Sequence, residues 1–277
     1  MFNNIFKKIL LNPLSIQKQV VSLQSEKLLT NGHCPVKDNN TRCATHKNCQ
    51  RVISFYMAIN KVSRTIAEQI ALLKKRGMLI KDEQTAAFYL GHISYFRLKS
   101  YWWDMQTDKV NHIFAPNSYF EDAIARYNFD SQLRLILFNA IEFIEIALRA
   151  KLIYHLSQAY GGLWYLDDSL VIDKAKHQDN LADLQNEFAR NGESFVKDFR
   201  TKHPNSNPDA WIIFEVATFG TLSKIYSNLK PQISQKSLIT HEFGLNSINE
   251  LSSWLASISY LRNVIAHHSR VFGRDIL

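Results

Sequence analysis

Three polar side chains with chemically useful groups lie close together near the end of the chain, at Arg262, Asn263 and His267. An imidazole has an ordinary pKa of roughly 6.5, so His267 is able to take up or release a proton near neutral pH. The guanidinium of Arg262 is permanently charged and presents a planar fork of N–H donors. The amide of Asn263 both donates and accepts hydrogen bonds. These residue types suit a site that binds an anion and transfers protons.

The helix that must position these groups is predicted from the apolar residues around them. Buried positions recur at three- and four-residue spacing, at Trp254, Ile258, Leu261 and Ile265. At roughly 100° per residue, Asn263 and His267 fall on the opposite side, one helical turn apart. Arg262 lies on the flank, from which a long side chain reaches either face. His268 falls near the edge of the buried stripe, so we interpret it as structural or, at most, as lining the site.

Net charge gives weak support for a nucleic-acid partner. The chain of 277 residues has a formal net charge of +8, which invites that interpretation. Residues 1–56 hold eight basic and two acidic residues, whereas the rest of the chain holds 25 basic and 23 acidic residues. The body of the chain is therefore nearly neutral. A local patch of charge would have to supply any nucleic-acid binding.

The first 56 residues differ in composition from the rest of the chain, because they are polar, rich in turn residues and without sustained periodicity. We predict that residues 1–56 are a poorly organised and dispensable leader, and that the functional chain starts near Met57. Four potential zinc ligands lie in this leader: Cys34, Cys43, His46 and Cys49. Their spacing matches no common zinc finger, so unpaired thiols are the preferred interpretation and a metal site is the alternative. We expect no cofactor at the candidate site.

Membrane association is not expected from the hydropathy of the chain. No run of apolar residues approaches the roughly 18 that cross a bilayer. The apolar patch Ile9-Leu10-Leu11 ends at Asn12-Pro13, which is too short for the core of a signal peptide. The sequence therefore predicts a cytoplasmic protein.

The pattern beyond the leader predicts an all-α fold, since helical periodicity recurs and no strand alternation is sustained. We predict a smaller helical region at residues 57–115 and a helical bundle domain at 116–277. Asp130 is predicted to be the N-cap of the longest helix, at about 131–160. Its expected buried face contains Leu133, Leu137, Ala140, Ile144 and Leu148. Glu145 and Arg149 pair one turn apart on another side and are predicted to line a site. His155 falls among the buried leucines, so we interpret it as a core or edge histidine.

A second candidate for nucleic-acid contact is the aromatic and basic segment at residues 94–103. Arg97, Lys99 and Tyr101 have the composition of a segment that holds single-stranded RNA by stacking and phosphate contact. The preferred alternative is a helix whose aromatic rings pack in the core while its basic side chains remain solvated.

Many short blocks in one order, through most of residues 64–274, resemble the Abi-like family of bacterial abortive-infection proteins, in particular its AbiD and AbiF group. The blocks are Glu68-Gln69-Ile70, 73–77, Tyr95-Phe96-Arg97-Leu98, Tyr101-Trp102, Phe120-Glu121-Asp122, Phe129-Asp130, Leu133-Arg134, Ile141-Glu142 with Glu145, Ala147-Leu148-Arg149, Trp211 with Glu215, 219–223, Leu261-Arg262-Asn263 and 266–270. This family is placed in the HEPN superfamily of helical ribonucleases. The resemblance therefore implies a helical bundle of HEPN type.

The resemblance also implies a function. The family's motif of an arginine followed four to six residues later by a histidine maps onto Arg262 and His267, with Asn263 in its usual polar place. Family members are described as cutting RNA without a metal, often as toxins restrained until phage infection, and some as restrained by a small RNA. RNA carries its own nucleophile, the 2′-hydroxyl, which fits a metal-independent reaction.

Three hypotheses arise from the sequence. The first is a metal-independent endoribonuclease in which His267 is the acid and base and Arg262 stabilises the phosphate. One motif supplies only one imidazole, so a homodimer would complete the acid and base. The second hypothesis is a non-catalytic RNA-binding or regulatory module. In the third, Arg262 and His267 are solvated surface residues.

Overall fold

The computed structural model describes residues 62–275, and these residues are almost entirely helical. Ten α-helices lie within them, with four short 3-10 helices and two short strands. We number the α-helices in chain order: α1 Ile66–Lys75, α2 Glu83–Ile93, α3 Tyr95–Trp102, α4 Phe120–Tyr160, α5 Lys174–Arg190, α6 Ser194–Lys202, α7 Ala210–Ile213, α8 Phe219–Asn228, α9 Ser234–Glu242 and α10 Ile248–Ala266. The 3-10 helices are Trp103–Met105, Trp164–Leu166, Asp168–Leu170 and Phe214–Val216. The prediction of an all-α fold is confirmed.

The described residues divide into two compact units, 62–122 and 123–275. The division falls within the first turn of α4, whereas the sequence prediction placed a boundary at residues 115 and 116. The leader at 1–56, its potential zinc ligands and Met57 lie outside the described residues. Within residues 62–275, no group of three or more His, Cys, Asp or Glu side chains is arranged to hold a metal ion.

The N-terminal unit begins with three helices whose ends obey local sequence rules. Thr65 and Glu68 form a capping box at the start of α1, because each side chain accepts a hydrogen bond from the other's backbone N–H. The carboxylate of Asp82 accepts hydrogen bonds from the first turn of α2. Gly77 has a φ of 92°, a conformation that favours glycine, and comes directly after the C-cap of α1. These caps fix the lengths of α1 and α2.

A short hairpin in the N-terminal unit was not predicted. Strands β1 (Gln106–Asp108) and β2 (Ile113–Phe114) pair antiparallel. The carboxylate of Asp108 accepts hydrogen bonds from the backbone N–H groups of Val110 and Asn111, which closes the turn. Strands of three and two residues are too short to show an alternating pattern, so the sequence contains no sign of them.

Helix α4 is the longest element, with 41 residues, and it starts eleven residues earlier than predicted. Asp130 is therefore not an N-cap, and the prediction of that role is wrong. Its buried face continues further than predicted, since Ile141, Leu152 and Leu156 join Ile144 and Leu148 in the core. Gly161, with a φ of 82°, comes directly after its last residue and suits the left-handed conformation that often ends a helix.

The core of the C-terminal unit forms where α5, α8 and α10 pack with α4. It includes Leu148 and Leu152 of α4, Leu184 and Phe188 of α5, Leu222 and Tyr226 of α8, and Leu251 and Leu255 of α10. Gly220 of α8 faces α10 closely, because a Cβ at this position would lie 3.4 Å from Ser259 Oγ. The buried carboxylate of Glu187 accepts hydrogen bonds from Thr218 N and Thr221 Oγ1, and so fixes the start of α8. Helix α10, which carries the candidate site, is thus held by well-defined neighbours.

None of the helices in residues 62–275 combines the length and the apolar character that a membrane span requires.

Candidate functional site

Helix α10 presents Arg262 and Asn263 much as the periodicity predicts. The helix starts where the Ser247 side chain accepts a hydrogen bond from Glu250 N. Its buried side chains are those of Leu251, Leu255, Leu261, Val264 and Ile265, with Ile258 half-buried. Trp254 is 49% exposed, so its predicted place in the buried stripe is wrong. Asn263 is exposed, on the side opposite the core.

The last turn of α10 places His267 at the C-cap, where the chain leaves the helix. The N–H of His268 donates to Ile265 O, and that of Ser269 donates to Val264 O, both at 2.9 Å. These two bonds form a Schellman motif. His268 adopts a φ of 54°, the left-handed conformation that this motif requires.

The prediction that His268 lies near the buried stripe is wrong, because both histidines are exposed. The angular spacing of a helix no longer applies beyond Ala266, where the helix ends. His267 retains near-helical backbone angles, with φ −86° and ψ 11°, and so continues the exposed face of Asn263. His267 is therefore accessible to a ligand.

The segment after the two histidines is tied to α4 by Asp130. Its Oδ1 accepts hydrogen bonds from Val271 N at 2.9 Å and Phe272 N at 2.6 Å. The same carboxylate pairs with the guanidinium of Arg134, one turn along α4, and Asp130 is fully buried. The chain that leaves α10 is therefore fixed only four residues after His267.

Arg262 is held by a carboxylate that also binds a second arginine. Glu145 Oε2 lies 3.8 Å from Arg262 Nε, and Glu145 Oε1 accepts a hydrogen bond from Arg149 Nη2 at 3.2 Å. Arg149 Nη2 also donates to Ala217 O, immediately before the start of α8. The structure thus brings together Arg262 and the two predicted site-lining residues, and joins α4 to α8 and α10 around them.

The electrostatic arrangement leaves Arg262 able to bind an anion. Its side chain is 35% exposed, and within residues 62–275 its one ion pair is made through Nε. The two Nη groups therefore remain as donors for a ligand such as a phosphate oxygen. The site holds two guanidinium groups and one carboxylate, so its formal charge is positive.

Arg262 and His267 do not meet within one chain. No hydrogen bond joins their side chains in the described part of the molecule, and Asn263 does not orient the imidazole there. Five residues along an α-helix correspond to roughly 140° of rotation. Arg262 points toward Glu145 of α4, whereas His267 continues the exposed face of α10.

His155 lies at the edge of the C-terminal unit, consistent with the interpretation from its helical position. Its Nε2 lies 3.1 Å from Glu242 Oε1, and Lys151 pairs with the same carboxylate. The hydrogen bond from Lys151, and then that from His155, hold the pKa of the Glu242 carboxyl below its usual range. His155 is thus part of an ion-pair network that joins α4 to α9.

The second candidate set, on α3, is only partly accessible. Tyr101 is 2% exposed and packs in the N-terminal unit, so its ring is unavailable for stacking on a base. This favours the alternative in which the aromatic rings of α3 are core residues. Lys99 is half-buried, with Nζ 5.2 Å from the ring centre of Trp103, and Arg97 is exposed. RNA contact by Arg97 and Lys99 stays a prediction.

Two parts of the site region were missed by sequence reasoning. Asp130 was recognised only as an N-cap candidate, and its bonds to Val271 and Phe272 cross more than 140 residues of chain. Arg274 was not singled out, yet its Nη1 donates to Tyr260 Oη of α10 at 2.9 Å. The i,i+4 spacing of Asp130 and Arg134 was the one local signal available for the first of these.

The fold and the site together define an all-α protein with an arginine, an asparagine and a histidine at the end of a supported helix. Residues 88–273 match the family model described as Abi-like protein, which covers more than half of the chain. The chain therefore belongs to the Abi-like family. No curated protein and no solved structure matches it significantly.

Proposed function

We propose that this chain is an abortive-infection toxin that cuts RNA without a metal ion, with a site built from Arg262, Asn263 and His267. The proposal is supported by how the structure orients Arg262 and exposes His267. Arg262 is oriented by a carboxylate while its Nη groups remain available, and His267 is exposed at the end of the same helix. Membership of the Abi-like family supports the role in phage defence. The HEPN superfamily and the AbiD and AbiF group remain part of this proposal.

The reaction is a transesterification. The RNA 2′-hydroxyl loses its proton to a neutral imidazole, and its oxygen attacks the adjacent phosphorus. The bond to the 5′-oxygen breaks, and that oxygen takes a proton from an imidazolium. The products are a 2′,3′-cyclic phosphate and a 5′-hydroxyl. Arg262 stabilises the extra negative charge on the phosphorus oxygens, and Asn263 hydrogen-bonds a phosphate oxygen or the imidazole.

The reaction needs one imidazole as base and one as acid, which supports a homodimer. His267 is the one imidazole that the proposal assigns to catalysis in each chain, although His268 beside it is also exposed, and Arg262 and His267 of one chain lie on different sides of α10. A homodimer with its two α10 helices facing each other would bring the two copies of His267 to one shared site. In this proposal RNA is the substrate, and a small inhibitory RNA is a candidate partner.

The test is cleavage by the purified full-length protein. The expected result is cutting of RNA in EDTA, cyclic phosphate ends, and no cutting of the matching DNA, which lacks the 2′-hydroxyl. His267→Ala is expected to lower the cleavage rate by about 10³-fold or more. A His267→Ala protein that cuts as well as the parent would show that the mechanism is wrong.

A second candidate function is a non-catalytic RNA-binding or regulatory module. The separation of Arg262 and His267 within one chain favours it, because phosphate binding needs no acid and base. RNA binding that depends on Arg262, with no cleavage product under any inducing condition, would favour this module over the ribonuclease.

A further inference from the structure

The segment after α10 folds back onto α10 and is fixed there. Arg274 Nη1 donates to Tyr260 Oη at 2.9 Å, and Arg274 Nε donates to Arg270 O at 3.0 Å. The N–H of Arg274 donates to Val271 O, and Val271 N is itself held by Asp130. Although Arg274 is close to the end of the chain, its guanidinium therefore has a defined position.

That position is on the face of α10 that carries His267. Tyr260 and His267 are seven residues apart, which is close to two turns, so their side chains lie on the same side. Asn263 lies between them on that side. The spacing from Tyr260 to His267 is roughly 10 Å along the helix axis. The bond to Tyr260 thus places the guanidinium of Arg274 on the face of α10 that carries the proposed catalytic imidazole.

The guanidinium of Arg274 is able to bind a ligand. Arg274 is exposed, and within residues 62–275 it forms no ion pair with an acidic side chain, including its neighbour Asp275. Its Nη2 group makes no hydrogen bond to the same part of the chain. Tyr260, which is 44% exposed, accepts the bond from Nη1 and so orients the fork.

We propose that Arg274 binds a second phosphate of the same RNA strand, separate from the phosphate at His267, and that Tyr260 positions Arg274 for this contact. The inference rests on the proposed function and names how the substrate lies on the site. Tyr260 and His267 are roughly 10 Å apart along α10, so Arg274 and His267 contact different phosphates of the strand. The RNA strand then runs along the exposed face of α10, past Asn263. A guanidinium fork suits this task because it bonds two phosphate oxygens at once.

The binding experiment uses the full-length protein and a fluorescent 20-nucleotide oligouridine in which every sugar is 2′-O-methylated, so that no cleavage occurs. Arg274→Ala is expected to weaken binding about tenfold. The slope of log K against log salt is expected to fall in magnitude by about 0.7, which corresponds to one lost phosphate contact on a single strand. Arg274→Lys is expected to keep the slope but to bind more weakly than the parent, because the charge remains and the fork does not.

Three further variants separate a phosphate contact from a general effect on structure. Arg190→Ala removes an exposed arginine from the end of α5 and is the matched control, with affinity and slope expected to equal the parent's. Tyr260→Phe removes the acceptor that orients Arg274, and is expected to weaken binding less than Arg274→Ala does. The double variant Tyr260→Phe, Arg274→Ala is expected to bind no more weakly than Arg274→Ala alone, because the two act as one unit.

The cleavage assay distinguishes this inference from the proposed function. In cleavage of an unmodified oligouridine, Arg274→Ala is expected to raise KM about tenfold and to leave kcat within a factor of about two. If Arg274→Ala matches the parent in affinity and slope while His267→Ala abolishes cleavage, the inference is wrong and the proposed function stands. If the parent does not cut but Arg274→Ala still binds more weakly, the subsite stands and the ribonuclease does not. If the parent binds no RNA, both are overturned.

Discussion

At the level of single residues, the carboxylate of Glu145 is the group that decides how Arg262 is presented. It lies between two guanidinium groups, and one of these, on Arg149, is also bonded to Ala217 O. Hydrogen bonds to Glu145 and Ala217 therefore fix Arg149, whereas the two Nη groups of Arg262 remain as donors for a ligand. We assign Glu145 a positioning role, since it acts on the phosphate through Arg262.

The prediction for Glu145 is made with Glu145→Gln, which keeps the size of the side chain and removes its charge. The guanidinium of Arg262 then loses its anchor, so kcat for RNA cleavage is expected to fall about tenfold, with little change in KM. Glu142→Gln, an exposed neighbour on the same helix, is the control and is expected to cleave as the parent does. Rescue of kcat by Glu145→Asp would support positioning, and equal kcat for Glu145→Gln and the parent would refute it.

The sequence predicted the Glu145 and Arg149 pair because the two are one helical turn apart. It also predicted that Asn263 and His267 share an exposed face. The contact between Glu145 and Arg262 crosses more than 100 residues of chain, and no local pattern encodes it. For Tyr101 the local sequence was misleading. Its composition suggested an RNA contact, but the ring is buried in the core and cannot stack on a base.

Among the structural elements, the end of α10 and its attachment to α4 determine where His267 lies. The Schellman motif ends the helix at Ala266, and Asp130 then holds the backbone of Val271 and Phe272. Periodicity predicted the helix but not where it ends, because the left-handed residue is His268 rather than a glycine. The start of α4 was predicted wrongly for a related reason. Aspartate is a common N-cap residue, but Asp130 is buried inside the helix, which starts at Phe120.

Asp130→Asn tests this attachment. The amide oxygen still accepts backbone hydrogen bonds, but the buried guanidinium of Arg134 loses its counter-charge. The free energy of unfolding is expected to fall by about 3 kcal/mol, as for other buried ion pairs that lose one partner. Chemical denaturation measures it, with Asp198→Asn, an exposed aspartate of α6, as the control. A loss below about 0.5 kcal/mol, the range of surface substitutions, would mean that Asp130 does not anchor the segment.

For the molecule as a whole, the all-α fold was the part that the sequence predicted best. Helical periodicity and capping residues recur along the chain, and each long helix buries one face. The hairpin in the N-terminal unit was missed because its strands are too short to alternate. Oligomeric state has no comparable local pattern, so the homodimer is inferred from the chemistry of the reaction rather than from the fold.

The homodimer predicts that the two copies share one active site. Heterodimers of the parent and His267→Ala, purified through two different affinity tags, are expected to retain far less than half of the parent's cleavage rate. The one composite site would then lack an acid or a base. Parent homodimers carrying both tags are the control. A heterodimer with half the parent's rate would indicate that the two sites work independently, and a monomer in solution would exclude the arrangement.

The ribonuclease assignment is best tested by sequencing RNA 5′ ends in cells after induction of the parent, Arg262→Ala and His267→Ala proteins at matched levels. We predict new 5′-hydroxyl ends with the parent, together with growth arrest, and neither effect with either variant. Glu142→Gln is expected to match the parent. New ends of equal abundance with the parent and the His267→Ala protein would contradict the assignment of this histidine and arginine to a ribonuclease site.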